Sequence, residues 1–253
     1  MIYLRFEHRG RIRSGILSGD IVTVIEGPFW DYRKTDMAVP LGEVRLLAPL
    51  VPGKVVAVGK NYLDHIGELG ASEVPQSPVL FIKLPHTVIG PDEDILIPRG
   101  ATRVDYEAEL ALVIGRECSD EEPVEAAGAI LGATCLNDVT ERDVQKLDGQ
   151  WTRAKNYPTF CPLGPWIVDG LDYGRLRVRS RLNGQIRQDG NTASLLFGVP
   201  ELISFISKAM PLHPGDVVTT GTPCGVGPMA GGDVIEIEVE GVGTLRNPVR
   251  NRA

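Results

Sequence analysis

The chain has few cysteines. Its 253 residues carry four, Cys118, Cys135, Cys161 and Cys224, and no two form a C-x-x-C pair. That scatter argues against a thiolate zinc site and a disulfide frame, and predicts reduced thiols in a cytoplasmic protein. No apolar run approaches the ~18 residues a membrane-crossing helix needs. The first residues, Met1 to Arg9, lack the apolar centre of a secretory leader. The expectations are therefore a cytoplasmic location and no membrane partner. The glycine-rich stretch from Gly221 to Pro228 has no Gly-Lys-Ser/Thr ending, so it is not a nucleotide phosphate loop. Positive charge is also short: 26 Lys and Arg against 33 Asp and Glu give a net charge of −7. That balance argues against nucleic acid as a partner. Small anionic ligands stay open, because a bound metal reverses the local sign.

Glycine and proline are abundant, at 29 and 19, and the hydrophobic share is 43%. These values predict a turn-rich, mainly β chain with a sizeable core, as one medium domain or a medium domain with a small addition. Residues 1–50 read as short strands, with a hairpin around Ser18-Gly19-Asp20 and His8 at the surface. Pro52-Gly53 is a turn signal, and a boundary is placed there. Residues 1–52 then form a small N-terminal β-rich domain and 53–253 the main one. In the latter, Lys54 to Gly59 and Pro78 to Pro85 read as strands, the second with one lysine, Lys83. Asp120 to Ala129 and Leu195 to Ala209 read as helices, the second started by Asn191 to Ser194. Leu176 to Arg187 reads as a hairpin turning at Asn183-Gly184, and Asp233 to Glu240 as an alternating strand whose glutamates face water. Trp151 to Trp166, punctuated by prolines, reads as an irregular loop of the kind that carries function.

The stretch Val104 to Gly115 opens with alternating acids and closes as an apolar run. As one strand it places Asp105, Glu107 and Glu109 on one face and Tyr106, Ala108 and Leu110 on the other. Glu107 and Glu109 then sit roughly 6–7 Å apart. Carboxylates on a strand that continues into the core are costly unless a cation lies between them, and a hard divalent ion is the simplest cation. A helix, or an edge strand with its acids in water, stays open as the plainer alternative.

Three further groups carry chemistry. His65 and Glu68 lie three apart on a short helix stopped by Gly70. Such a pair is either a general base with its orienting carboxylate or a solvated surface pair. The glycines around it suit a segment that closes over a ligand. Asp138 ends the buried segment from Gly128 and is either a third carboxylate at a site or the cap of the following helix. Arg142 and Gln145 lie one and two helical turns beyond it. Backbone N–H groups at Gly221-Thr222 are placed to hold a carboxylate.

Several motifs in order resemble the fumarylacetoacetate hydrolase family, from about Lys54 to Val249. They are Gly59 to Tyr62 (GKNY) with His65 and Glu68, Asp105 to Leu110 (DYEAEL), Asn137 to Asp143 (NDVTERD), Lys155 with Thr159, and Gly221 to Pro228 (GTPCGVGP). The C-terminal stretches at Asn183, Asn191 and Glu240 look closest to isomerase/decarboxylase members of homoprotocatechuate breakdown. The resemblance implies a mixed, mainly β fold, a β-sandwich roll with short flanking helices, assembled as a homodimer. It implies one Mg²⁺ or Mn²⁺ held by Glu107, Glu109 and Asp138. It makes His65, Glu68 and Lys155 catalytic and places Arg142, Gln145, Thr159 and Thr222 around a small 2-oxo dicarboxylate. The implied reaction is isomerisation or decarboxylation of a 2-oxo or 2-hydroxy-dienoate dicarboxylate, with acylpyruvate hydrolysis, oxaloacetate decarboxylation and non-catalytic binding of a 2-oxo acid as alternatives. The large animal-type hydrolases add an acidic ligand seven residues before the histidine. Val58 stands there, so the likeness is to the short branch with three carboxylates.

Overall fold

Period-two alternation builds the first strands. β1 (Ile2–His8), β2 (Arg11–Ser18), β3 (Ile21–Glu26) and β4 (Arg33–Pro40) form an antiparallel meander, and β5 (Arg45–Leu46) pairs with β1. The β2–β3 hairpin is the one expected around Ser18-Gly19-Asp20. His8 departs from expectation: it is 8% exposed. Alternation puts it on the same face as buried Leu4 and Phe6, and its imidazole lies 3.7 Å from the Glu43 carboxylate. The computed structural model describes residues 1–68 and 74–252, without the side chains of residues 65, 66 and 68.

The chain continues through β6 (Val55–Gly59), α1 (Leu63–Glu68), β7 (Val79–Lys83), β8 (Val88–Ile89), β9 (Ile95–Ile97), β10 (Val104–Tyr106), β11 (Ala108–Ile114), α2 (Pro123–Ala127), β12 (Ile130–Asn137) and β13 (Thr140–Glu141). There follow α3 (Arg142–Asp148), α4 (Thr152–Lys155), β14 (Cys161–Val168), β15 (Arg177–Leu182), β16 (Gln185–Asn191), α5 (Val199–Ala209), β17 (Val217–Thr219), β18 (Gly227–Pro228), β19 (Val234–Val239) and β20 (Gly243–Asn251). The largest sheet runs β4-β3-β2-β1-β14-β12-β11-β17-β6-β7, with β5 and β8 joined to β1 and β14. A second runs β16-β15-β19-β20-β9, and a small third is β13-β10-β18. The mainly β architecture is the expected one, and among the described residues no helix is long and apolar enough to cross a membrane.

β11 is the centre of the packing. Leu110, Leu112 and Ile114 on one face pack with Ile235, Ile237 and Val239 of β19 and Leu245 of β20. Ala111 and Val113 on the other face join Tyr3, Ile16 and Val217. Burial on both faces explains why the end of this stretch is continuously apolar.

Four local readings are corrected. The acidic stretch is not one strand: it breaks at Glu107, because β10 pairs with β13 and β18 while β11 pairs with β12 and β17. Trp151 to Trp166 is not all loop: it holds α4 and most of β14, and Pro165 falls where the β12–β14 register shifts, so the ladder asks no hydrogen bond of its missing N–H. The helix expected from Asn191 begins at Val199; Asn191 instead accepts from Ala193 N at 2.9 Å and closes a turn. The helix expected over 120–129 covers only Pro123–Ala127. The hairpin turn at Asn183-Gly184 stands as read, with φ of 53° and 78°, the left-handed pair that a two-residue turn needs.

Leu112→Ala should cost about 2–5 kcal/mol, since its side chain is wholly buried. Val124→Ala, at an 88% exposed position, should stay within about 0.5 kcal/mol. Urea unfolding of both variants checks the assignment of the core.

Candidate active site

Three carboxylates meet where β11 and β12 begin and end. Ala108 pairs with Asn137 across the two strands, which brings Asp138 beside Glu107. Asn137 fixes the junction: its Oδ1 accepts from Glu107 N at 2.9 Å, and Asp138 N donates to Glu107 O at 2.9 Å. Alternation from Glu107 then places Glu109 on the same face. One oxygen from each of Glu107, Glu109 and Asp138 lies within 4.8 Å of the others. Their exposures are 4%, 1% and 1%, so water does little to screen their repulsion.

Cations from three other elements offset it. Lys155 of α4 lies 2.7 Å from Glu107 Oε2 and also donates to Asp138 Oδ2. Lys83, the last residue of β7, lies 2.7 Å from Asp138 Oδ1 and donates to Lys155 O at 2.7 Å. Arg142, the first residue of α3, donates to Asp105 Oδ2 at 2.8 Å, to Glu107 Oε1 at 2.5 Å and to Gln145 Oε1 at 2.9 Å. Asp105 is also gripped by Arg103 at 2.9 and 3.0 Å. Burial alone would lower the Lys155 ammonium, but Asp138 and Glu107 outweigh it and its pKa is raised. Glu109 is the least compensated acid. Burial, then the charges of Asp138 and Glu107, push its pKa well above the usual carboxylate range.

The backbone amide at Gly221 serves Glu109. Gly221 N donates to its Oε2 at 3.1 Å, so the carboxylate held there is the protein's own. A Cβ at Gly221 would lie 3.1 Å from Val58 O and 3.0 Å from Asn61 Cβ, and φ there is 90°. Only glycine brings the amide this close without strain. The next residue, Thr222, donates its hydroxyl to Ala108 O at 2.8 Å and accepts from Gln188 Nε2 at 2.7 Å.

Glu107, Glu109, Asp138, Arg142, Gln145, Lys155 and Thr222 all line one cleft. Thr159 does not: its Oγ1 accepts from Leu96 N at 2.8 Å. The backbone at His65 and Glu68 is helical in α1, but both side chains, and the stop at Gly70, lie outside the described residues. Asp138 is not a helix cap; the Glu141 side chain caps α3 by accepting from Val144 N. Gln145 therefore sits one turn from Arg142 in a helix that starts after Asp138. Val58, where an additional acid was weighed, is 1% exposed and lines the cleft.

The sequence reading missed Lys83 as a partner of Asp138. Its one signal was a lysine inside an apolar strand. It also missed Gln188, which accepts from Ala108 N at 3.0 Å and holds Thr222, and the wall formed by Phe81 and Trp151, whose rings meet edge to face at 5.3 Å.

The donor set suits a hard cation. It offers three convergent carboxylates, and among the described residues buried Asp138 Oδ1 has the Lys83 ammonium at 2.7 Å but receives no aligned hydrogen bond. Lys83→Met, assayed without added divalent ion, should destabilise the fold by about 3–5 kcal/mol, because Asp138 loses a buried partner. Urea unfolding in chelator reads this directly, and an unchanged midpoint would contradict the pairing.

Comparison with known proteins places this cleft in context. A family model described as Fumarylacetoacetate (FAA) hydrolase C-terminal matches residues 54–250, and one described as Rv2993c-like, N-terminal matches residues 1–49. The crystal structure of a 5-carboxymethyl-2-hydroxymuconate delta-isomerase from Mycobacterium smegmatis is 45% identical, with a TM-score of 0.94 and all of both chains covered. An oxaloacetate tautomerase, YisK, of Bacillus subtilis is 39% identical over 83% of this chain and 74% of its own. A maleylpyruvate hydrolase from Sphingobium sp. SYK-6, solved with manganese(II) and pyruvate, is 29% identical, with a TM-score of 0.84 and all of both chains covered.

Proposed function

The chain belongs to the fumarylacetoacetate hydrolase family, and on that premise we propose a divalent-metal-dependent enzyme that isomerises or decarboxylates 2-oxo or 2-hydroxy-dienoate dicarboxylates. The observation that carries the reading is the buried triad of Glu107, Glu109 and Asp138 opening into a cleft beside Lys155. Glu107, Glu109 and Asp138 would hold Mg²⁺ or Mn²⁺. When bound, that ion supplies Lewis acidity to a keto oxygen and so favours the enolate side of a 2-oxo acid.

The remaining work falls to side chains. Lys155 is held by Glu107 and Asp138, with its Nζ 4.9 Å from the Phe81 ring centre. It adds fixed positive charge where negative charge grows on the substrate. Arg142 is locked by Asp105 and Glu107, and it orients Gln145 toward the cleft as a neutral polar contact. Phe81 and Trp151 narrow the cleft and exclude water from one side. His65 and Glu68, which the resemblance makes catalytic, are assigned the proton transfer.

Charge supports an anionic dicarboxylate. Counted as ionised, Asp105, Glu107, Glu109 and Asp138 are balanced by Lys83, Arg103, Arg142 and Lys155. A divalent ion added to this balanced set would draw in a dianion. Isomerase, tautomerase and hydrolase relatives all handle enolisable acids by name. A second reading, acylpyruvate hydrolysis or oxaloacetate decarboxylation, is favoured by the hydrolase solved with manganese(II) and pyruvate.

Glu107→Ala should abolish both Mn²⁺ binding and turnover. His65→Ala should keep the ion and lose about 10²–10⁴-fold in kcat. The check is calorimetry with Mn²⁺ beside a panel of oxaloacetate, acetylpyruvate, fumarylpyruvate and 2-hydroxyhepta-2,4-diene-1,7-dioate, with enol absorbance and CO₂ followed separately. Enol loss alone identifies an isomerase, CO₂ a decarboxylase, and released pyruvate a hydrolase. Full turnover in Glu107→Ala would refute the metal site.

A further inference from the structure

Among the described residues, one cation of the cleft is committed to no acid. Arg142 and Lys155 line the cleft with their charges spent on Asp105, Glu107 and Asp138. Lys60 lines the same cleft, and its ammonium has no acidic partner among the described residues. Lys60 also borders an adjoining surface hollow lined by Val74, Pro75, Gln76 and Val79, so it stands on the outer side of the cleft, toward solvent.

The backbone at Lys60 is held in an unfavourable conformation. Its φ is 56°, in the left-handed region where a side chain with a Cβ is disfavoured. The neighbouring Asn61 enforces it. Asn61 is 1% exposed; its Nδ2 donates to Phe197 O at 3.1 Å and Thr220 O at 2.9 Å, and its Oδ1 accepts from Phe197 N at 2.9 Å. Asn61 O also accepts from Leu196 N at 2.8 Å. On the other side, Gly59 packs so tightly on Trp151 that a Cβ there would lie 2.4 Å from the indole. The chain is thus pinned on both sides of Lys60. Glycine would sit at position 60 with less strain, and the structure instead keeps a long cationic side chain there.

From this we infer that Lys60 is a specificity-determining residue: it binds the second carboxylate of the substrate, the one remote from the reacting 2-oxo acid end. The inference rests on the proposed reading of the cleft and deepens it by stating why a dicarboxylate is preferred to a monocarboxylate. The 2-oxo acid end belongs at the triad and Lys155. The far carboxylate reaches toward the mouth, where Lys60 is the lysine lining the cleft that pairs with no acid among the described residues. Lysine serves this better than arginine would where the far group varies in position, because its compact charge on a flexible stem needs no bidentate geometry.

The test compares matched ligands that differ only in the far carboxylate: 2-oxoglutarate with 2-oxobutyrate, and malate with lactate. Affinities are measured by calorimetry on the Mn²⁺-loaded full chain. The wild type should bind the dicarboxylate of at least one pair more tightly. Lys60→Met and Lys60→Gly should each cut that preference about 10-fold or more, the scale of one charged hydrogen bond, while monocarboxylate affinity stays within about twofold. Lys60→Arg should retain most of the preference. Lys60→Gly guards against a folding artefact, since glycine suits the left-handed φ better than lysine. The inference is overturned if the wild type shows no preference, or if the preference survives in both Lys60→Met and Lys60→Gly. Failure of the parent reading has a different signature: no turnover on the substrate panel, with the Lys60-dependent preference intact.

Discussion

Glu107, Glu109 and Asp138 bring three oxygens within 4.8 Å of one another in a place almost closed to water. Removing charged groups from water is expensive, and like charges so close add to the cost. Much of the surrounding architecture answers to that constraint. Lys83, Lys155 and Arg142 come from β7, α4 and α3, and each ends or begins an element so that its charge reaches the triad. Gly221 exposes an amide to Glu109, and Asn137 holds the backbone at Glu107. The largest sheet supplies the rigidity: β11 is buried on both faces and cannot shift to relieve the repulsion. The account of function follows from this arrangement. A fold that assembles three buried carboxylates around a cleft has a use for them beyond stability, because apolar residues of similar size would stabilise as well.

Much of this was legible in the chain itself. The alternation of Asp105, Glu107 and Glu109 running into an apolar strand announced a buried acidic face, and Asp138 at the end of β12 completed it. What alternation could not announce was the partner strand. The break at Glu107 comes from a change of neighbours, β13 and β18 giving way to β12 and β17, and no local propensity encodes that. Asn183-Gly184 fixed a hairpin because its turn chemistry is local. Pro165 misled because its effect depends on where the ladder shifts register, which is a tertiary fact.

The cations show the same limit more sharply. Lys83 and Asp138 are 55 positions apart, and nothing near Lys83 says that its charge is needed elsewhere in the fold. The resemblance placed Lys155 and Arg142 near the ligand, and both line the cleft. It also named Thr159, whose hydroxyl is instead used by Leu96 N. His8 was read as a surface residue from its charged neighbours, yet strand phase decided its burial. In each case the side chain's type was readable and its direction was set by pairing at a distance.

The most direct test of the central claim is an anomalous difference map from crystals grown with Mn²⁺. The account predicts one strong peak per chain within coordinating distance of Glu107, Glu109 and Asp138 together. It also predicts that Lys155 Nζ gives up at least one of its two carboxylate contacts to admit the ion. No peak at the triad under saturating Mn²⁺, with the Lys155 contacts to Glu107 and Asp138 both intact, would show that Lys83, Lys155 and Arg142 alone are its counter-ions, and the metal-dependent mechanism would fall.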